Sequence, residues 1–359
     1  MEKGKDNMEA AAKKSNVKRT IGRIVLVILT FLIFILLTLF FGLNTIINGP
    51  SKAARELFTT TVLESGQLKF LAQLFLSTEE IEEIVSRTSM GTMDTKQNTA
   101  LIDTAGQSEN FDLDAVTIEE INGRTYFAKM MIVNDPSRVR VSTTYPWGEY
   151  GKELKELVGE DLGGVNGGLY VSDSNKGGRP LGVVVSNGEI LFNQPQGWKG
   201  IYLIGFDRDN ILQIENIEGM SASAVEKLIR EQGIRDAVAF QDEASDANNH
   251  FVPLIINGQP RELNGQGSGA NPRTVIAQRA DGSVLLLVTD GRGSAGHLGA
   301  TASDLISILL DAGAVNAANL DGGSSSTMVY DGQYEMTSVT LYYANSSWRL
   351  PTAFTVTRR

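Results

Sequence analysis

The stretch PRTVIAQRADGSVLLLVTDGRGSAGHLGATASDLISILLDAGAVNAANLDGGSSSTMVY, residues 272–330, decides the fold that this chain can adopt. Its two β-prone runs, Thr274–Arg279 and Val284–Thr289, meet at Asp281-Gly282, a dipeptide that suits the positive φ angles of a tight hairpin turn. The second run ends in the glycine-rich loop 290–299. The pattern therefore predicts a β-hairpin whose second strand leads into a polar loop.

A helix and a third strand bring the chain to a second glycine turn. Thr301 suits a helix N-cap, an apolar stripe follows at helical spacing, and Gly313 ends the helix. The chain returns through Val315–Leu320 and turns again at Asp321-Gly322-Gly323. Two strand ends thus each place an aspartate before a glycine, and we expect the two ends to form one site.

The residue types at these turns suit an anionic, polyhydroxylated ligand. Arg273 and Arg292 carry fork-shaped cations that bind phosphate or carboxylate oxygens in pairs. Asp321 and Asp290 are the candidate catalytic residues, as acid, base or nucleophile. Unshielded backbone N–H groups and nearby hydroxyls complete the candidate binding set with Gly322, Gly323, Ser324 and Ser325.

Other interpretations of the same residues stay open. An aspartate before glycine often bonds only its own backbone in a hairpin turn, and a serine run is typical of a solvated edge strand. Residues 291–296 also match the dinucleotide-binding pattern G-x-G-x-x-G. That motif needs its glycines at the start of the helix, whereas this helix begins only at about Thr301.

Three segments, in this order, resemble the phosphodiester glycosidase family: Pro272-Arg273-Thr274, Asp290-Gly291-Arg292 and Asn319–Tyr330. Further similarity at Asn166–Tyr170, Pro180–Val183 and Pro351–Phe354 extends the resemblance over residues 116–356. The tract 241–252 departs from the family pattern, because a shorter link is expected there. This departure affects the identity of the substrate more than the fold.

The resemblance implies hydrolysis of a sugar-1-phosphodiester at the bond between C1 and a phosphate oxygen. Because phosphate is a weakly basic leaving group, one carboxylate suffices if cations neutralise the departing phosphate. We assign Arg273 and Arg292, together with Thr274, to the phosphate. Asp321 is predicted to act as base or nucleophile, and Asp290 to orient an arginine or the sugar.

The amino-terminal residues predict a membrane anchor. Residues 24–43 are uncharged and, at about 1.5 Å per residue, long enough to cross a hydrocarbon core of about 30 Å. Residues 1–23 carry seven basic and three acidic side chains, so the positive-inside rule makes them a cytoplasmic tail. A secretory signal is the alternative, although its apolar core is usually shorter. We therefore predict a single-pass protein of the cell membrane with its catalytic domain outside the cytoplasm.

Beyond the span we predict an α+β protein with a mixed, hairpin-rich β-sheet and a few flanking helices. Residues 44–110 are predicted to form a short helical stalk and linker, and residues 111–359 the phosphodiester glycosidase-like domain. The glycine-rich segment 161–180 predicts a long loop at the rim of the substrate pocket. Within it, Asn166 is predicted to bond sugar hydroxyls.

Composition excludes several classes of site and partner. Without cysteine the chain has no disulfides, catalytic thiols or thiolate metal sites. Its net charge of -10 argues against a nucleic-acid partner. The two histidines, His250 and His297, are too few for a multi-histidine zinc site, and His297 is either a substrate contact or a plain loop residue. We predict no cofactor and no metal, with a divalent cation left open because residues 242–249 are rich in oxygen ligands.

Two functions of other classes compete with hydrolysis. A non-catalytic module that binds an anionic cell-surface polysaccharide needs the same arginines, glycines and hydroxyls. A scaffold for a polymer-synthesis complex at the membrane needs partners but forms no product. Turnover therefore separates an enzyme of cell-wall or exopolysaccharide processing from both alternatives, whereas the oligomeric state is not predicted.

Overall fold

The computed structural model describes residues 2–65, 68–104, 112–242, 250–338 and 346–359, with no side-chain detail for residues 2–17, 174 and 294. The chain divides into two compact units, Met1–Phe58 and Thr59–Arg359. Most of the tract 241–252 and the end of the predicted linker lie outside the described residues.

One long helix, α1 (Glu2–Asn48), dominates the first unit. Its segment Lys18–Asn48 is long and apolar enough to cross a membrane, and the most apolar part of it is not buried by other residues. The predicted span, residues 24–43, lies inside this segment. The helix is thus a candidate membrane span, although a secretory signal near the amino terminus can meet the same criteria of length and hydropathy. The next helix, α2 (Lys52–Leu63), begins in the first unit and ends in the second.

The second unit contains the other described helices and all the described strands. The helices are α3 (Lys69–Phe75), α4 (Thr78–Arg87), α5 (Leu154–Val158), α6 (Ala222–Gln232) and α7 (Ala302–Asp311). The strands are β1 (Val116–Asn122), β2 (Phe127–Val133), β3 (Val139–Thr143), β4 (Gly163–Asn166), β5 (Gly182–Ser186), β6 (Glu189–Gln194), β7 (Ile201–Asp207), β8 (Leu212–Asn216), β9 (Ile234–Gln241), β10 (Pro253–Ile256), β11 (Gln259–Pro260), β12 (Thr274–Arg279), β13 (Val284–Thr289), β14 (Ala314–Asn319), β15 (Thr327–Tyr330), β16 (Gln333–Thr337) and β17 (Thr352–Val356). The predicted α+β class is confirmed.

The strands form three sheets, whereas we expected one mixed sheet. Their orders are β1-β2-β13-β12-β14-β10-β11, β16-β15-β4-β17-β3 and β6-β5-β9-β7-β8. All the described pairs are antiparallel. The number of strands, seventeen, exceeds the roughly ten that an open twisted sheet usually holds before it splits, which accounts for the division.

The seven-stranded sheet is buried on both faces. On β13, Leu286 packs into a core shared with the other two sheets, and its neighbour Leu287 packs on the opposite face beside Leu305 and Leu309 of α7. Successive residues of a strand point to opposite faces, so one apolar run supplies both cores. Each such buried side chain contributes about 1.5–3 kcal/mol relative to its exposed state.

Helix α7 begins and ends where the sequence predicts. Thr301 accepts a hydrogen bond from the N–H of Asp304 at 3.2 Å, and the Asp304 carboxylate accepts one from the N–H of Thr301 at 2.9 Å. This reciprocal pair satisfies two N–H groups that a helix start otherwise leaves without partners. Gly313, with φ +79°, follows the last turn, as predicted for the end of the helix.

The glycine-rich segment 161–180 differs from its predicted loop structure at one end. Gly163 and Gly164 open β4, a fully buried strand between β15 and β17. A Cβ on Gly163 would lie 2.5 Å from the carbonyl oxygen of Val329, so glycine allows neighbouring backbones to approach closely. Asn166 ends this strand and is fully buried, and therefore does not lie at the pocket rim as predicted.

The described part of the segment predicted as stalk and linker includes helices α2, α3 and α4, and its residues from Thr59 onward belong to the second unit. Thr59 and Thr60 of α2 are buried there. Further along, the N–H of Gly91 donates to the carbonyl of Glu262 at 2.9 Å. This part of the predicted stalk and linker is therefore part of the second unit, and one of its residues, Glu64, lies at the candidate site.

Candidate active site

Strand order brings the two predicted turns to one edge of the seven-stranded sheet. Strand β12 lies between β13 and β14 and is antiparallel to both. The carboxyl ends of β13 and β14 therefore lie beside the start of β12. Asp290 and Asp321 follow those two ends and Arg273 precedes β12, as the expectation of one site requires.

A cavity of about 120 Å³ lies at this edge. Its lining residues are Glu64, Phe240, His250, Asn271, Arg273, Arg292, Asn319, Asp321, Gly322 and Gly323. Five residues of the predicted site are in this set, and both arginines face the same space as Asp321.

A larger cavity of about 480 Å³ lies elsewhere, beside β6 and α6. Its charged residues include Arg230 and Glu226, which form an exposed ion pair one helical turn apart. Such a pair is typical of a solvated helix face. We therefore place the candidate site at the smaller cavity, where a carboxylate and guanidinium groups converge.

Asp321 is the carboxylate of this cavity. It is partly exposed, and its Oδ1 accepts a hydrogen bond from the N–H of Gly322 at 3.0 Å. Burial raises the pKa of Asp321 to about 6, while hydrogen bonds from Ser325 and Gly322 and the charge of Arg292 act in the opposite direction. The carboxyl group therefore changes its protonation state near neutral pH, as is common for catalytic acids and bases.

Buried polar residues fix the backbone of this turn. The Nδ2 of Asn166 donates to the carbonyl oxygen of Asp321 at 2.7 Å. The hydroxyl of Thr274 donates to Oδ1 of Asn166 at 2.8 Å, and the N–H of Thr327 donates to the same oxygen at 3.2 Å. Asn166 and Thr274 were predicted to contact sugar and phosphate, but both are fully buried and position the Asp321 turn.

Arg292 has an unusual backbone conformation for its residue type. Its φ is 55°, in the left-handed region, which costs a residue with a side chain about 1–2 kcal/mol. Its guanidinium Nη1 donates to the Ser324 hydroxyl at 2.7 Å. A Cβ on Gly323 would lie 2.7 Å from Nη2 of Arg292, so glycine leaves room for the guanidinium. Local strain of this kind is concentrated at functional sites.

The predicted serines and glycines mostly bond within the turn. Ser325 lies 2.9 Å from the hydroxyl of Tyr170, oxygen to oxygen, and bonds the carboxylate of Asp321. The N–H of Gly323 donates to the carbonyl of Pro272 at 2.8 Å. The N–H groups of Gly322 and Gly323, predicted to meet an anion, thus hold the turn in this structure.

Asp290 has different neighbours from Asp321. It is only 4% exposed, and its Oδ1 accepts a hydrogen bond from the N–H of Phe127 at 2.7 Å. Its Oδ2 lies 2.6 Å from Nδ1 of His297. Among the described residues, neither Asp290 nor His297 lines the cavity. Asp290 therefore pairs with His297 in this structure, and the role predicted for it, orienting an arginine or the sugar, stays a prediction.

Arg273 has a carboxylate partner that the sequence did not indicate. Its Nη2 lies 2.5 Å from Oε2 of Glu64, and the two side chains are 8% and 3% exposed. The guanidinium also lies over the ring of Phe251, 4.9 Å from its centroid. Glu64 precedes Arg273 by 209 residues and lies in the predicted stalk, so no local pattern connects them.

Four further residues of the cavity were not predicted as site residues: Phe240, His250, Asn271 and Asn319. Asn319 donates from Nδ2 to the carbonyl of Phe251 at 3.1 Å, which fixes its amide. His250 packs edge-on against Phe240 with ring centroids 5.7 Å apart. The sequence signals were that Asn319 opens the 319–330 motif, that Phe240 directly precedes the tract 241–252 and that His250 lies within it.

The described residues contain no group of three or more histidine, aspartate or glutamate side chains that could hold a metal ion. Of the predicted oxygen ligands, Asp242 instead forms a two-point ion pair with Arg261, at 2.5 and 3.1 Å. The other ligands of that tract, Glu243, Asp246, Asn248 and Asn249, lie outside the described residues.

Comparison with solved structures supports a known fold. The chain is 17% identical to the zebrafish N-acetylglucosamine-1-phosphodiester alpha-N-acetylglucosaminidase catalytic domain auto-inhibited by pro-peptide, with a TM-score of 0.51. This match covers 77% of this chain and 98% of the zebrafish chain. A hypothetical protein from Synechocystis is also 17% identical, with a TM-score of 0.40 over 68% of this chain and 62% of that one. At such identity the zebrafish match shows a shared fold.

Comparison of the sequence identifies the family. Over 64 residues, or 18% of its length, the chain is 44% identical to the SPbeta prophage-derived uncharacterized protein YomE of Bacillus subtilis (strain 168). The match spans only 10% of that relative. The family model for phosphodiester glycosidase matches residues 161–357, more than half of the chain. This chain therefore belongs to the phosphodiester glycosidase family.

Proposed function

We propose that this chain hydrolyses a sugar-1-phosphodiester and that Asp321 and Arg292 carry the reaction. The observation that supports this most strongly is that a carboxyl group with a pKa near 6 and a guanidinium group share one cavity. The carboxyl group of Asp321 lies in a glycine turn, and the guanidinium group of Arg292 lies in a glycine loop with a strained backbone. The zebrafish relative of the same fold is named for an activity on an N-acetylglucosamine-1-phosphodiester, which agrees with this class of substrate.

The proposed reaction breaks the bond between C1 of the sugar and the phosphate oxygen. An oxygen nucleophile, either water activated by Asp321 or the Asp321 carboxylate itself, forms the new bond to C1. In the second case the sugar is held as an ester of Asp321, and a water molecule then attacks C1, releases the sugar and regenerates the carboxylate. The bonding electrons leave with the phosphate, which departs as a monoester, and the proton of water passes to Asp321 or to solvent. Both roles of Asp321 need the ionised carboxylate.

Arg292 acts on the other side of the same bond. As the C1–O bond breaks, negative charge grows on the departing phosphate. A guanidinium group stabilises that charge through two parallel N–H bonds. The hydrogen bond to Ser324 holds the Arg292 fork in place before substrate arrives. No proton donor for the leaving group is required, because the phosphate monoester is a weak base.

The proposed location is the outer face of the cell membrane. The candidate span within α1 anchors the chain, and its basic preceding residues keep the amino terminus in the cytoplasm. An anionic cell-wall or exopolysaccharide precursor then supplies the phosphodiester.

Because the chain has no cysteine, single introduced cysteines report the topology cleanly. We expect an impermeant maleimide to label Lys227→Cys, but not Lys3→Cys, on intact cells; the reverse pattern would contradict the proposed orientation.

Turnover tests the function itself. The full chain in detergent micelles is incubated with a sugar-1-phosphodiester, and release of reducing sugar is followed. We expect product from the wild type and none above background from Asp321→Asn. If no phosphodiester is cleaved while an anionic polysaccharide binds with micromolar affinity, the protein is a binding module and the proposed hydrolysis is wrong.

A further inference from the structure

The carboxylate of Glu64 lies in a site whose donors suit an oxyanion. Oε1 accepts a hydrogen bond from the N–H of Gly269 at 2.5 Å. Oε2 accepts one from Nδ2 of Asn271 at 2.9 Å and one from Nη2 of Arg273 at 2.5 Å. A backbone N–H, an amide and a guanidinium around one oxyanion form the donor set that proteins use for phosphate as well as carboxylate.

This oxyanion site opens on the candidate active site. Glu64, Asn271 and Arg273 line the same cavity as Asp321 and Arg292. The cavity measures about 120 Å³, whereas sites for small ligands usually measure about 300–1,000 Å³. A sugar with its phosphate and a second substituent therefore needs more room than this conformation gives.

Glu64 lines the cavity but lies outside residues 161–357, the region that matches the family. Glu64 directly follows α2, at the end of a segment that contacts residues 268–271 of the matched region. The N–H of Ala270 donates to the hydroxyl of Thr61 at 3.0 Å. A Cβ on Gly269 would lie 2.6 Å from the backbone of Thr60, so the two backbones touch at this point. Withdrawal of residues 59–64 would vacate the oxyanion site and widen the cavity together.

We propose that Gly269, Asn271 and Arg273 form the side of the phosphate-binding site that lies opposite Arg292, and that the Glu64 carboxylate occupies this position as an internal substitute for the substrate phosphate. The substrate phosphate displaces the Glu64 carboxylate, after which Arg273 and Arg292 hold it from two sides. This inference rests on the proposed function for the identity of the anion. The binding of phosphate itself, however, is measurable without turnover.

The first experiment measures phosphate binding by Glu64→Gln, with Glu83→Gln as the matched control because Glu83 pairs with Arg87 on an exposed helix face. Melting temperatures of the full chain in detergent are followed against inorganic phosphate, with chloride at equal ionic strength. Loss of the buried partner should lower the melting temperature of Glu64→Gln in chloride, since Arg273 is left unpaired. Phosphate should restore it, with an affinity at least tenfold higher than that of the wild type or the control.

A second variant locates the bound phosphate. We expect Arg273→Gln in the Glu64→Gln background to abolish the response to phosphate. A response that survives this change would place the anion elsewhere and overturn the proposal. A destabilised Glu64→Gln that responds equally to phosphate and chloride would show instead that Glu64 is a permanent counter-ion of Arg273.

A third variant tests the same segment without removing a charge. Gly269→Ala places a methyl group against the backbone of Thr60 and should force residues 59–64 away from the oxyanion site. We expect it to increase phosphate affinity as Glu64→Gln does, and to lower KM if the chain hydrolyses phosphodiesters. Unchanged phosphate affinity in a folded Gly269→Ala would contradict displacement. If no variant cleaves a phosphodiester, the proposed hydrolysis is contradicted. The phosphate-binding site is then still decided by the binding measurements.

Discussion

The turns at Asp290-Gly291-Arg292 and Asp321-Gly322-Gly323 differ in what their aspartates can reach. Both follow strand ends at the same sheet edge. Asp290 is 4% exposed, with one oxygen on the N–H of Phe127 and the other beside His297. Asp321 faces the cavity and has a pKa of about 6. Similar sequence at equivalent strand ends therefore gives one aspartate closed off by its neighbours and one open to ligand.

The difference arises from the position of each aspartate relative to the end of the strand before it. Asp290 still continues the ladder, since its N–H donates to the carbonyl of Phe127 at 2.8 Å, and its carboxylate folds back onto the same residue. Asp321 lies two residues beyond the end of β14, in a backbone fixed by Asn166. In the first turn it is the arginine, rather than the aspartate, that faces the cavity. The two turns thus contribute complementary charges to one site.

The largest effect should come from Asp321→Asn. The amide keeps the shape of the carboxylate but supplies neither a base nor a nucleophile, so we expect kcat on a sugar-1-phosphodiester to fall about 10³-fold. Release of reducing sugar measures the loss. Asp281→Asn, in the hairpin turn between β12 and β13, is the matched control and should retain activity. A loss below about fivefold in Asp321→Asn would exclude Asp321 from the chemistry.

The next effect concerns the cation of the other turn. Arg292→Lys keeps one positive charge but loses the paired donors, so we expect about a 10²-fold loss of kcat/KM on the phosphodiester. A neutral aryl glycoside of the same sugar provides the comparison and should lose far less. Arg208→Lys, in the larger cavity, controls for a general effect of the substitution. Equal losses on both substrates would contradict the phosphate role of Arg292.

The pH dependence should report the protonation of Asp321. Because the ionised carboxylate is the active form, kcat/KM should fall about tenfold for each pH unit below about 6 and level off above it. A profile that falls as the pH rises through 6 would instead assign Asp321 the role of a proton donor.

Stability provides an independent measure of the same pKa. The folded-state pKa of about 6 lies above the ordinary value of 3.8, so ionisation of Asp321 costs native stability as the pH rises from about 4 through 6. Asp321→Asn removes that cost. Its melting temperature should exceed that of the wild type at pH 8, and the two should converge below pH 4. Equal melting temperatures at pH 8 would argue against the raised pKa.

The smallest effect on activity is expected from Asp290→Asn. The amide oxygen can still accept the N–H of Phe127, whereas the pairing with His297 is weakened. We expect kcat to change less than about fivefold, with a loss of about 1–3 kcal/mol in unfolding free energy because the group is buried. Chemical denaturation and turnover measure the two quantities. A loss of activity matching that of Asp321→Asn would remove the distinction between the two turns.

Several parts of the fold follow from local signals. The hairpin at Asp281-Gly282 forms between the two predicted strands, and Gly282 has the positive φ, 86°, that the tight turn requires. Helix α7 follows from its capping pair and apolar stripe. Gly163 was misinterpreted because glycine in a loop and glycine at a close contact between strands look alike in sequence.

The candidate site was predicted only in part, since its chemistry depends on distant neighbours. Arg273, Arg292 and Asp321 line one cavity as expected, because β12 brings both strand ends together. The partner of Arg273 was not foreseen, because Glu64 belongs to another part of the chain. The buried role of Asn166 was missed for a similar reason, as its partners are 108 and 155 residues away.

The sequence by itself determined the apolar amino-terminal helix, the α+β class, the hairpins and the kinds of side chain available at the two turns. Periodicity, turn dipeptides and residue chemistry are local properties, and local properties can be read along the chain. Only the tertiary structure decided which aspartate faces the cavity, which arginine already has a partner, and which polar residues hold the backbone. Burial and pairing depend on residues brought together from far apart, and packing alone fixes those neighbours.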